Sequence, residues 1–400
     1  MTARPSLLIV SFSPIASDAR VLKQVRLFAG RYDVTTLGYG PRPDGVVEHL
    51  QVPGELASRP PHPRLLVARA YSLLYRRTPE VAWARAALRG RRWDVVLADD
   101  VETVPLALAT KPRGGVHADL HEFSPRLHEE NAGWARWVRP YIVWMCRRHV
   151  RRADSWTTVS GGLAREYEKD FGFRPTLVTN AAPYVEAEPH PTGSPVRLVH
   201  SGACLRNRHL DVLVDAVERS GADVELHLYL TPNDPGHLAE LAARAEQVAN
   251  VVVHAPVPYD ELAATLRGYD VGVHVLPPVS FNNAWALPNK IFDYVQARLG
   301  VVVGPSPEMA EVVRSTGIGT VTADFSATAL AETLRELNPR QVDAWRAASH
   351  AHARELSAEE QEHGWADAVD ALAARAGLIP ARAEDPDPGT TAGSGTGGCA

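Results

Sequence analysis

Cysteine is scarce in this chain of 400 residues, which has three, Cys146, Cys204 and Cys399. They lie far apart and form no CxxC pair, which excludes a disulfide framework and a cysteine-based structural zinc site. No apolar run reaches the roughly 20 residues that span a bilayer, and the first residues show no basic, apolar signal sequence. We therefore expect a cytoplasmic protein that is neither exported nor integral to a membrane.

An excess of positive charge is also absent. Lysine and arginine number 42 against 47 aspartate and glutamate residues, which gives a formal net charge of -5. The electrostatic footprint of a nucleic-acid-binding protein is therefore missing, and we expect no nucleic acid among the partners. The length and the 45% content of hydrophobic residues exceed what one compact core usually holds, so two domains are expected.

The first half of the chain alternates short apolar runs with helical stretches. The opening predicts a strand at 7–12, a helix at 18–29 and a second strand at 32–37, which make a βαβ unit. Further strands are predicted at 94–98, 115–120 and 155–159. Because Val-rich strands joined by helices form parallel sheets with right-handed crossovers, we expect an α/β domain of the Rossmann type.

A polar stretch interrupts this alternation, which then begins again. Residues 183–195 are rich in Pro, Glu, His, Gly and Ser, a composition typical of an interdomain linker. From residue 196 strands and helices alternate as before and predict a second Rossmann-like domain. The predicted organisation is a first domain at 1–182, the linker at 183–195, a second domain at 196–357, an amphipathic last helix at 358–378 and a disordered tail at 379–400.

Two motifs in the second domain are suited to a phosphate group. The first is SGACLRNRHLDVL, in which Gly202 follows a strand, and Arg206 and Arg208 lie just before a helix. Backbone N–H groups and the dipole of a helix N-terminus attract anions, and arginine can bind phosphate through two hydrogen bonds at once. A phosphate site is therefore one interpretation of this loop, and an ordinary basic surface loop is the other.

The second motif is ALPNKIFDYVQARLGVVVGPSPEMAEVV, late in the second domain. It places Pro288, Asn289 and Lys290 at a helix start, with Asp293 in the first turn. Asn289 and Lys290 can meet a diphosphate, while Asp293 can accept hydrogen bonds from ribose hydroxyls. An ordinary capped helix with a carboxylate near its N-terminus is the alternative, but two such motifs in one domain favour a nucleotide site.

These motifs resemble the GxLxxxKG-like and PxKxxEYxAxGxPVV-like segments of family 4 retaining glycosyltransferases, which have the GT-B fold. The opening SFSPIASDARVLKQVRLFAGRYDVTTLG and the segments VLADD, DLHEFSPR, TTVSGGLAREY and LVTNAAPY are similar to that family too, in its usual order. The resemblance extends from residue 6 to about 375. It implies two doubly wound Rossmann-like domains that face a cleft, with the last helix crossing back to the first domain.

The resemblance also implies a donor site in the second domain. There Arg208, Asn289 and Lys290 would hold the diphosphate of a nucleotide diphosphate sugar, with Pro288 at the helix start, and Asp293 would bind the ribose. Arg208 and Lys290 would stabilise the departing diphosphate, which makes electrostatic stabilisation the main catalytic effect. The nucleotide base, the sugar and the acceptor are not identified by these residues.

The first domain is expected to contribute to the same cleft. His121 of DLHEFSPR matches a family histidine that reaches the donor sugar near its reacting carbon, and Glu122 follows it. The loop with Ser13, Ser17 and Asp18 should face the cleft from the carboxyl end of the first strand. A histidine that is hydrogen-bonded at a strand end, and a serine and an aspartate that cap a helix, are the structural alternatives.

The chain departs from the family pattern at two positions. Trp285 stands where the family has a glutamate that touches the donor sugar, and Ala203 stands where many relatives have an arginine that contacts the diphosphate. Arg206 is close enough in sequence to replace that arginine. Because an aromatic face suits apolar ring surface, Trp285 suggests a donor sugar that is deoxygenated, bulky or otherwise modified.

We expect neither a metal nor a cofactor. Asp99 and Asp100 resemble a pair of ligands for a divalent metal, but the resemblance implies that side chains and helix dipoles stabilise the leaving diphosphate. The expected activity is transfer of a sugar, with retention of configuration, to a small-molecule, glycan or lipid acceptor. A nucleotide-sugar epimerase of the same fold and a non-catalytic protein that binds sugar nucleotides are the alternatives.

One helix of the first domain mixes tryptophan and arginine, in the sequence WARWVRPYIVWMCRRHVRR. Such a helix can lie on anionic lipid, so contact with a membrane surface is one interpretation. Arginine stems also cover apolar surface while their charged ends stay in water. We favour this second interpretation, a half-buried helix of the first domain.

Overall fold

Two parallel β-sheets, one in each half of the chain, organise the computed structural model, which describes residues 4–57 and 62–380. The first sheet has the strand order β3-β2-β1-β4-β5-β6-β7 and the second β10-β9-β8-β11-β12-β13. The strands are β1 (Ser6–Pro14), β2 (Asp33–Tyr39), β3 (Glu48–Gln51), β4 (Val95–Asp99), β5 (Gly115–Leu120), β6 (Ser155–Thr158), β7 (Thr176–Leu177), β8 (Val196–Ala203), β9 (Val224–Thr231), β10 (Val251–His254), β11 (Val271–His274), β12 (Gly300–Val303) and β13 (Gly319–Val321).

Helices connect the strands and cover the sheets. Those of the first half are α1 (Ala19–Ala29), α2 (Pro63–Val67), α3 (Tyr71–Arg77), α4 (Pro79–Ala87), α5 (Val104–Thr110), α6 (Ala132–Trp137), α7 (Arg139–Arg148) and α8 (Gly161–Phe171). Those of the second half are α9 (Asp211–Ser220), α10 (Pro235–Ala245), α11 (Tyr259–Leu266), α12 (Phe281–Ala284), α13 (Asn289–Gln296), α14 (Pro307–Thr316), α15 (Ala327–Glu336) and α16 (Pro339–His352), followed by α17 (Ala358–Gln361) and α18 (His363–Arg375).

The central strand β1 is apolar without alternation because both of its faces are covered. Leu7, Leu8, Ile9 and Val10 are all fully buried. Leu8 and Val10 join the apolar cluster on one face of the sheet, whereas Leu7 and Ile9 join the cluster on the other face. A continuous apolar run is what a strand buried on both faces of a parallel sheet requires.

Each sheet reverses its strand order beside its first strand, between β1 and β4 and between β8 and β11. Open parallel sheets bind ligands at such points, outside the carboxyl ends of the strands. In the first sheet this edge presents the loop after β1 and Asp100 after β4, and in the second it presents Gly202 at the end of β8. The prediction of two Rossmann-like, doubly wound domains is confirmed.

The C-terminal helix α18 packs on the first domain, as expected. Trp365, Val369 and Leu372 are buried in the same apolar cluster as Leu7 and Ile9 of β1. The guanidinium of Arg20 lies 4.6 Å from the centre of the Trp365 ring, so a cation–π contact adds to this packing. The last helix therefore completes the core of the first domain.

Two predicted segments differ from the structure, and a third lies mostly outside the described residues. The helix predicted at 134–152 is divided into α6, α7 and a 3₁₀ turn at 150–152, because Pro140 near the start of α7 has no N–H for a continuing helix. The last helix, predicted at 358–378, is divided into α17 and α18 at Glu362. The prediction of a disordered tail lies, from residue 381 onward, outside the described residues.

We predict that Trp365→Ala lowers the free energy of unfolding by about 3–5 kcal/mol, because it empties a fully buried site between α18 and the first sheet. Urea denaturation measures the change. Ala371→Ser, on the exposed side of the same helix, is the control and should alter stability by less than about 0.5 kcal/mol. A loss at Trp365 no larger than that of the control would show that α18 does not stabilise the first domain.

Candidate functional site in the interdomain cleft

A cavity of about 610 Å³ lies between the two domains, at the carboxyl ends of both sheets. The first domain lines it with Pro14, Ser17, Asp18, Ala19, Arg20, His121, Glu122, Val159, Leu163 and Asn180. The second domain lines it with Arg208, Asn282, Asn283, Ala286, Leu287, Pro288 and Asn289. Predicted site residues from distant parts of the chain therefore meet in one cleft.

Arg208 of the second domain lines this cleft, and Lys290, which is not among the lining residues, lies near Arg208. Arg208 ends the 3₁₀ turn that follows β8, and Lys290 is in the first turn of α13. Desolvation and the neighbouring Arg208 lower the pKa of Lys290 to about 8, and desolvation also lowers the pKa of Arg208. Two positive charges that are partly stripped of water and close together create a place where an anion is favoured.

Gly202 gives Lys290 its position. This glycine has a φ of 139°, a conformation that side chains other than glycine rarely adopt, and a Cβ atom there would collide with the Nζ atom of Lys290. The absence of a side chain lets the lysine lie directly against the backbone at the end of β8. The glycine turn therefore brings the two phosphate-type motifs together.

Two histidines that the sequence analysis did not single out lie beneath these cations. The rings of His200 and His274 stack with centroids 5.5 Å apart, and both are buried. Desolvation, together with the charge of nearby Lys290, lowers the pKa of His200 to about 3. Desolvation likewise holds the pKa of His274 well below its ordinary value. Both rings are therefore neutral and add no charge to that of Lys290 and Arg208.

On the opposite wall, His121 lies among three carboxylates. Its Nε2 atom is 3.4 Å from Asp99 and 3.2 Å from Asp119, and its Nδ1 atom is 3.4 Å from Asp100. Burial disfavours the charged ring, but Asp100, Asp119 and Asp99 together raise its pKa well above the ordinary value. His121 is therefore an imidazolium at neutral pH and is 22% exposed toward the cleft.

Asp119 is the anchor of this group. Its two oxygens accept hydrogen bonds of 2.7 Å from Nε and Nη2 of Arg20, and further bonds come from Gln24 and Thr157. Burial would raise its pKa, but Arg20 and His121 hold it well below the usual range. Desolvation instead raises the pKa of Asp99 to about 7. At neutral pH the carboxyl of Asp119 is thus fully ionised, and that of Asp99 is about half protonated.

Asp99, Asp119 and His121 have ligand atoms within 4.8 Å of one another, so they are the described residues that can hold a metal ion. Arg20 opposes a cation at this place, because its guanidinium already occupies both oxygens of Asp119. The metal pair considered from the sequence, Asp99 and Asp100, is instead joined through His121. Independence from metal and from any cofactor stays a prediction.

The remaining first-domain candidates lie at or near the cleft. Asp18 and Ser17 line it, and Asp18 also caps α1 by accepting hydrogen bonds from the N–H groups of Arg20 and Val21. Ser13 hydrogen-bonds Ser11 at 2.8 Å and is not among the lining residues. Asp18 therefore caps α1, as the structural alternative predicted, and also lines the cleft.

Two donor-site candidates, Arg206 and Asp293, do not lie where the sequence predicted them. Arg206 points outward and pairs with Glu240 at 2.9 Å, so the structure does not bring it to Arg208 and Lys290. Asp293 lies beyond the first turn of α13, where the sequence predicted it, because the helix begins at Asn289. It is 8% exposed, and desolvation raises its pKa to about 6 against the opposing charges of Lys290 and Lys23. Asp293 therefore lies beneath the cleft surface, where access to a ribose needs a movement of its neighbours.

Trp285 packs across the domain boundary. Its indole lies against Gly162 at the start of α8, where a Cβ atom would collide with the ring, and Arg165 covers it at 5.0 Å. It is not among the residues that line the cleft cavity. The sequence predicted that Trp285 contacts the donor sugar, but in the structure its side chain joins the two domains.

Two side chains of the second domain bind backbone groups of the first. Glu308, in the first turn of α14, accepts hydrogen bonds from the N–H groups of Gly161 and Gly162 at 3.1 and 2.7 Å. Asn282 of α12 accepts one from the N–H of Phe123 at 2.9 Å. These bonds fix the width of the cleft, because they join the elements on either side of it.

A second cavity, of about 740 Å³, lies within the first domain and shares His121 and Glu122 with the cleft. Its apolar wall comes from helices α3, α4 and α7 and the segment before α7, with Leu74, Tyr75, Val81, Val138, Tyr141, Ile142 and Met145. The carboxylates that line it are Glu80, Asp100, Glu102 and Glu122. Desolvation raises the pKa of Glu102 to about 7, and Asp100 adds to this effect.

The sequence predicted the cations Arg208 and Lys290, but it did not predict most of the residues that hold the walls of the cleft in place. Asp119 carried one usable signal, a charged residue near the end of the apolar run at 115–120. Arg20 carried none, because one arginine in an amphipathic helix is usually at the surface. Asn282 and Glu308 also gave no signal, because their partners lie in the other domain.

We predict that Asp119→Asn lowers the free energy of unfolding at pH 7 by about 3–5 kcal/mol, because Arg20 would then be a buried charge without its ionised partner. Asp99→Asn is the matched control, with an expected loss of less than about 1 kcal/mol, since Asp99 is already about half neutral at this pH. Urea denaturation at pH 7 compares the two. Equal losses would contradict the assignment of Asp119 as the ionised anchor.

Residues 195–338 match the family profile described as Glycosyl transferases group 1. No protein of curated function matches the chain in sequence. Within the described residues, no helix is both long and apolar enough to cross a membrane.

Three solved structures are similar over nearly the whole chain. HepE from Anabaena, in complex with UDP and glucose, is 12% identical with a TM-score of 0.63, over 92% of this chain and 100% of that one. Sucrose-phosphate synthase from Thermosynechococcus elongatus is 13% identical with a TM-score of 0.68, over 93% and 100%. WaaG, a glycosyltransferase involved in lipopolysaccharide biosynthesis, is 13% identical with a TM-score of 0.62, over 91% and 99%. The chain therefore has the GT-B fold, and residues 195–338 of its second domain match the profile of group 1 glycosyl transferases.

Proposed function

We propose that the protein transfers a sugar from a nucleotide diphosphate donor to an acceptor, with retention of the anomeric configuration. The observation that carries this proposal is that Arg208 and the N-terminus of α13 line the interdomain cleft, with Lys290 of the first turn of α13 near Arg208. Two cations and the free N–H groups of a helix form a site suited to a diphosphate. The match of the second domain to group 1 glycosyl transferases supports the same assignment.

UDP is the first nucleotide to test, because the similar HepE structure holds UDP and glucose. The diphosphate would lie between Arg208, Lys290 and the backbone of Pro288 and Asn289. Asp293 would reach the ribose only if its neighbours shift, since it is 8% exposed. The donor sugar would extend toward His121 on the opposite wall of the cleft.

The chemical step would use this charge distribution. The acceptor hydroxyl oxygen forms a bond to the anomeric carbon while the bond from that carbon to the diphosphate oxygen breaks, and the hydroxyl proton passes to the departing diphosphate. Lys290 and Arg208 stabilise the negative charge that develops on the leaving group, an effect that is large in a site with little water. His121, held as an imidazolium, faces the sugar from the other side.

The acceptor would enter through the cavity of the first domain. That cavity meets the cleft at His121 and Glu122, so an acceptor in it can present a hydroxyl to the donor. Its wall is mostly aliphatic and aromatic, with carboxylates that accept hydrogen bonds. We infer an acceptor with an apolar body and at least one hydroxyl group.

A second candidate, a non-catalytic protein that binds sugar nucleotides, is favoured by Trp285. This residue packs on Gly162 across the domain boundary and leaves no carboxylate at the position where the family has its sugar-contacting glutamate. Incubation with UDP-sugars, with and without acceptors, separates the candidates. Transfer supports the first, tight binding without transfer or hydrolysis supports the second, and an altered sugar without any acceptor indicates an epimerase.

We predict that Arg208→Ala and Lys290→Ala each lower turnover by about 10²–10³-fold and abolish the rise in thermal midpoint that UDP produces, because each removes a charge that faces the diphosphate. Arg206→Ala removes the same charge from a side chain that pairs with Glu240 outside the cleft, so it should leave both readouts unchanged. If Arg206→Ala weakened UDP binding as much as Arg208→Ala, the assignment of the cations would be wrong.

We further predict that UDP binding weakens as the pH rises above about 8, the pKa of Lys290 in the free protein. UDP binds the protonated lysine, so affinity should fall about 20-fold between pH 7.5 and 9.5. Isothermal titration calorimetry measures the profile. In Lys290→Arg the charge persists over this range, and the profile should be flat. A parent protein with a flat profile would contradict the role of Lys290.

A further inference from the structure

An arginine-rich surface surrounds Trp144 on the first domain, away from the cleft. Three grooves, with volumes of about 500, 250 and 350 Å³, are each lined by Trp144 together with arginines. We call this the Trp144 surface, and its central members are Trp144, Arg69, Arg76, Arg139, Arg147 and Arg148. Arg85 and Arg152 extend it in the second groove, of about 250 Å³. No acidic residue of the described chain lines any of these grooves.

The arginines of the Trp144 surface are exposed. None of them forms an ion pair with any described residue, although arginines elsewhere, such as Arg206 and Arg244, pair with glutamates. The chain as a whole has a net charge of -5, so this concentration of unpaired positive charge is a local feature. Exposed like charges repel one another, and an anionic partner removes that repulsion.

Apolar side chains lie among these arginines. Leu73, which lines the groove with Arg69 and Arg76, is 37% exposed, and Val67, two residues before Arg69, is 56% exposed. Aliphatic side chains beside arginine and tryptophan are typical of surfaces that enter the headgroup region of a bilayer. Arginine binds lipid phosphate through two hydrogen bonds while its stem stays in apolar surroundings.

A single-stranded nucleic acid is a less suitable partner. Such a ligand is held by aromatic rings whose faces are free to stack on bases. The Trp144 ring is stacked on Tyr141, with centroids 6.0 Å apart and planes at 13°, and it also contacts Tyr71 at 5.8 Å. The aliphatic side chains of Leu73 and Val67 offer no stacking surface either.

We propose that the Trp144 surface docks the protein on an anionic lipid bilayer, with lipid phosphates bound by its arginines and Leu73 in the headgroup region. The surface is also close to the cavity of the first domain. Tyr141 lines that cavity and stacks on Trp144, and Tyr75 lines both the cavity and one of the grooves. Docking would therefore bring the cavity next to the membrane. This proposal does not depend on the transferase activity.

Cosedimentation of the full chain with large vesicles tests it. The vesicles contain either phosphatidylcholine alone or two parts phosphatidylcholine to one part phosphatidylglycerol. We expect binding to the anionic vesicles that weakens with salt, and little binding to the neutral ones. Because each arginine near an anionic surface contributes about fivefold in affinity, the double variant Arg147→Ala/Arg148→Ala should bind about 25-fold more weakly.

The matched control is Arg314→Ala/Arg340→Ala, which removes two exposed arginines from the second domain. It should bind anionic vesicles within about twofold of the parent, because those positions lie outside the proposed contact. The thermal midpoint and its rise with UDP, measured on the same samples, show that each variant is folded. They also test the donor site separately from the lipid surface.

Leu73→Ser separates a bilayer from a soluble polyanion. It should weaken binding to anionic vesicles severalfold while leaving any binding of polyuridylate unchanged, because only a bilayer contacts the leucine side chain. Three results would overturn the proposal: equal binding to neutral vesicles, equal losses in the two double variants, or binding of polyuridylate without binding of vesicles. The last result would assign the Trp144 surface to nucleic acid.

Discussion

A buried ion pair between Arg20 and Asp119 is the interaction on which the first domain and its part of the cleft depend. Arg20 comes from α1 and Asp119 from the end of β5, and both side chains are almost completely buried. The same guanidinium donates to the carbonyl oxygen of Val178 and lies over Trp365 of α18. Since a buried charge needs a partner, the ion pair holds the C-terminal helix and the first sheet in one arrangement.

The ion pair also determines the charge state of the cleft wall. Asp119 stays ionised beside Arg20 and helps keep His121 protonated. On the other wall the buried rings of His200 and His274 remain neutral, so Lys290 and Arg208 are the cations there. A protein that moves an anionic leaving group benefits from positive charge that is in place before the ligand arrives, because no reorganisation is then needed during the reaction.

The contact between the domains explains the departure at position 285. A tryptophan there packs on Gly162, next to the hydrogen bonds that Glu308 makes with the start of α8. A negatively charged glutamate in place of Trp285 would lie near Glu308, where repulsion would oppose closure. The large apolar ring therefore suits an arrangement in which the two domains are held together.

Several features of the protein followed from its sequence alone. The alternation of Val-rich strands and helices predicted both parallel sheets, because burial on two faces demands continuous apolar runs. Gly202, Arg208 and the start of α13 were predicted from local features, a turn glycine and a helix start, and the structure brings them together, while phosphate binding there stays a prediction. The crossing of the last helix to the first domain followed from the family resemblance and is confirmed by the burial of Trp365.

Only the tertiary structure decided which side chains meet. Arg206 and Arg208 lie two residues apart, yet the 3₁₀ turn directs one to Glu240 and the other to the cleft. Asp99, Asp119 and His121 come together because β4 and β5 are neighbours in the sheet. Such contacts join residues that are distant along the chain, so they depend on strand order and domain closure, which local sequence patterns do not contain.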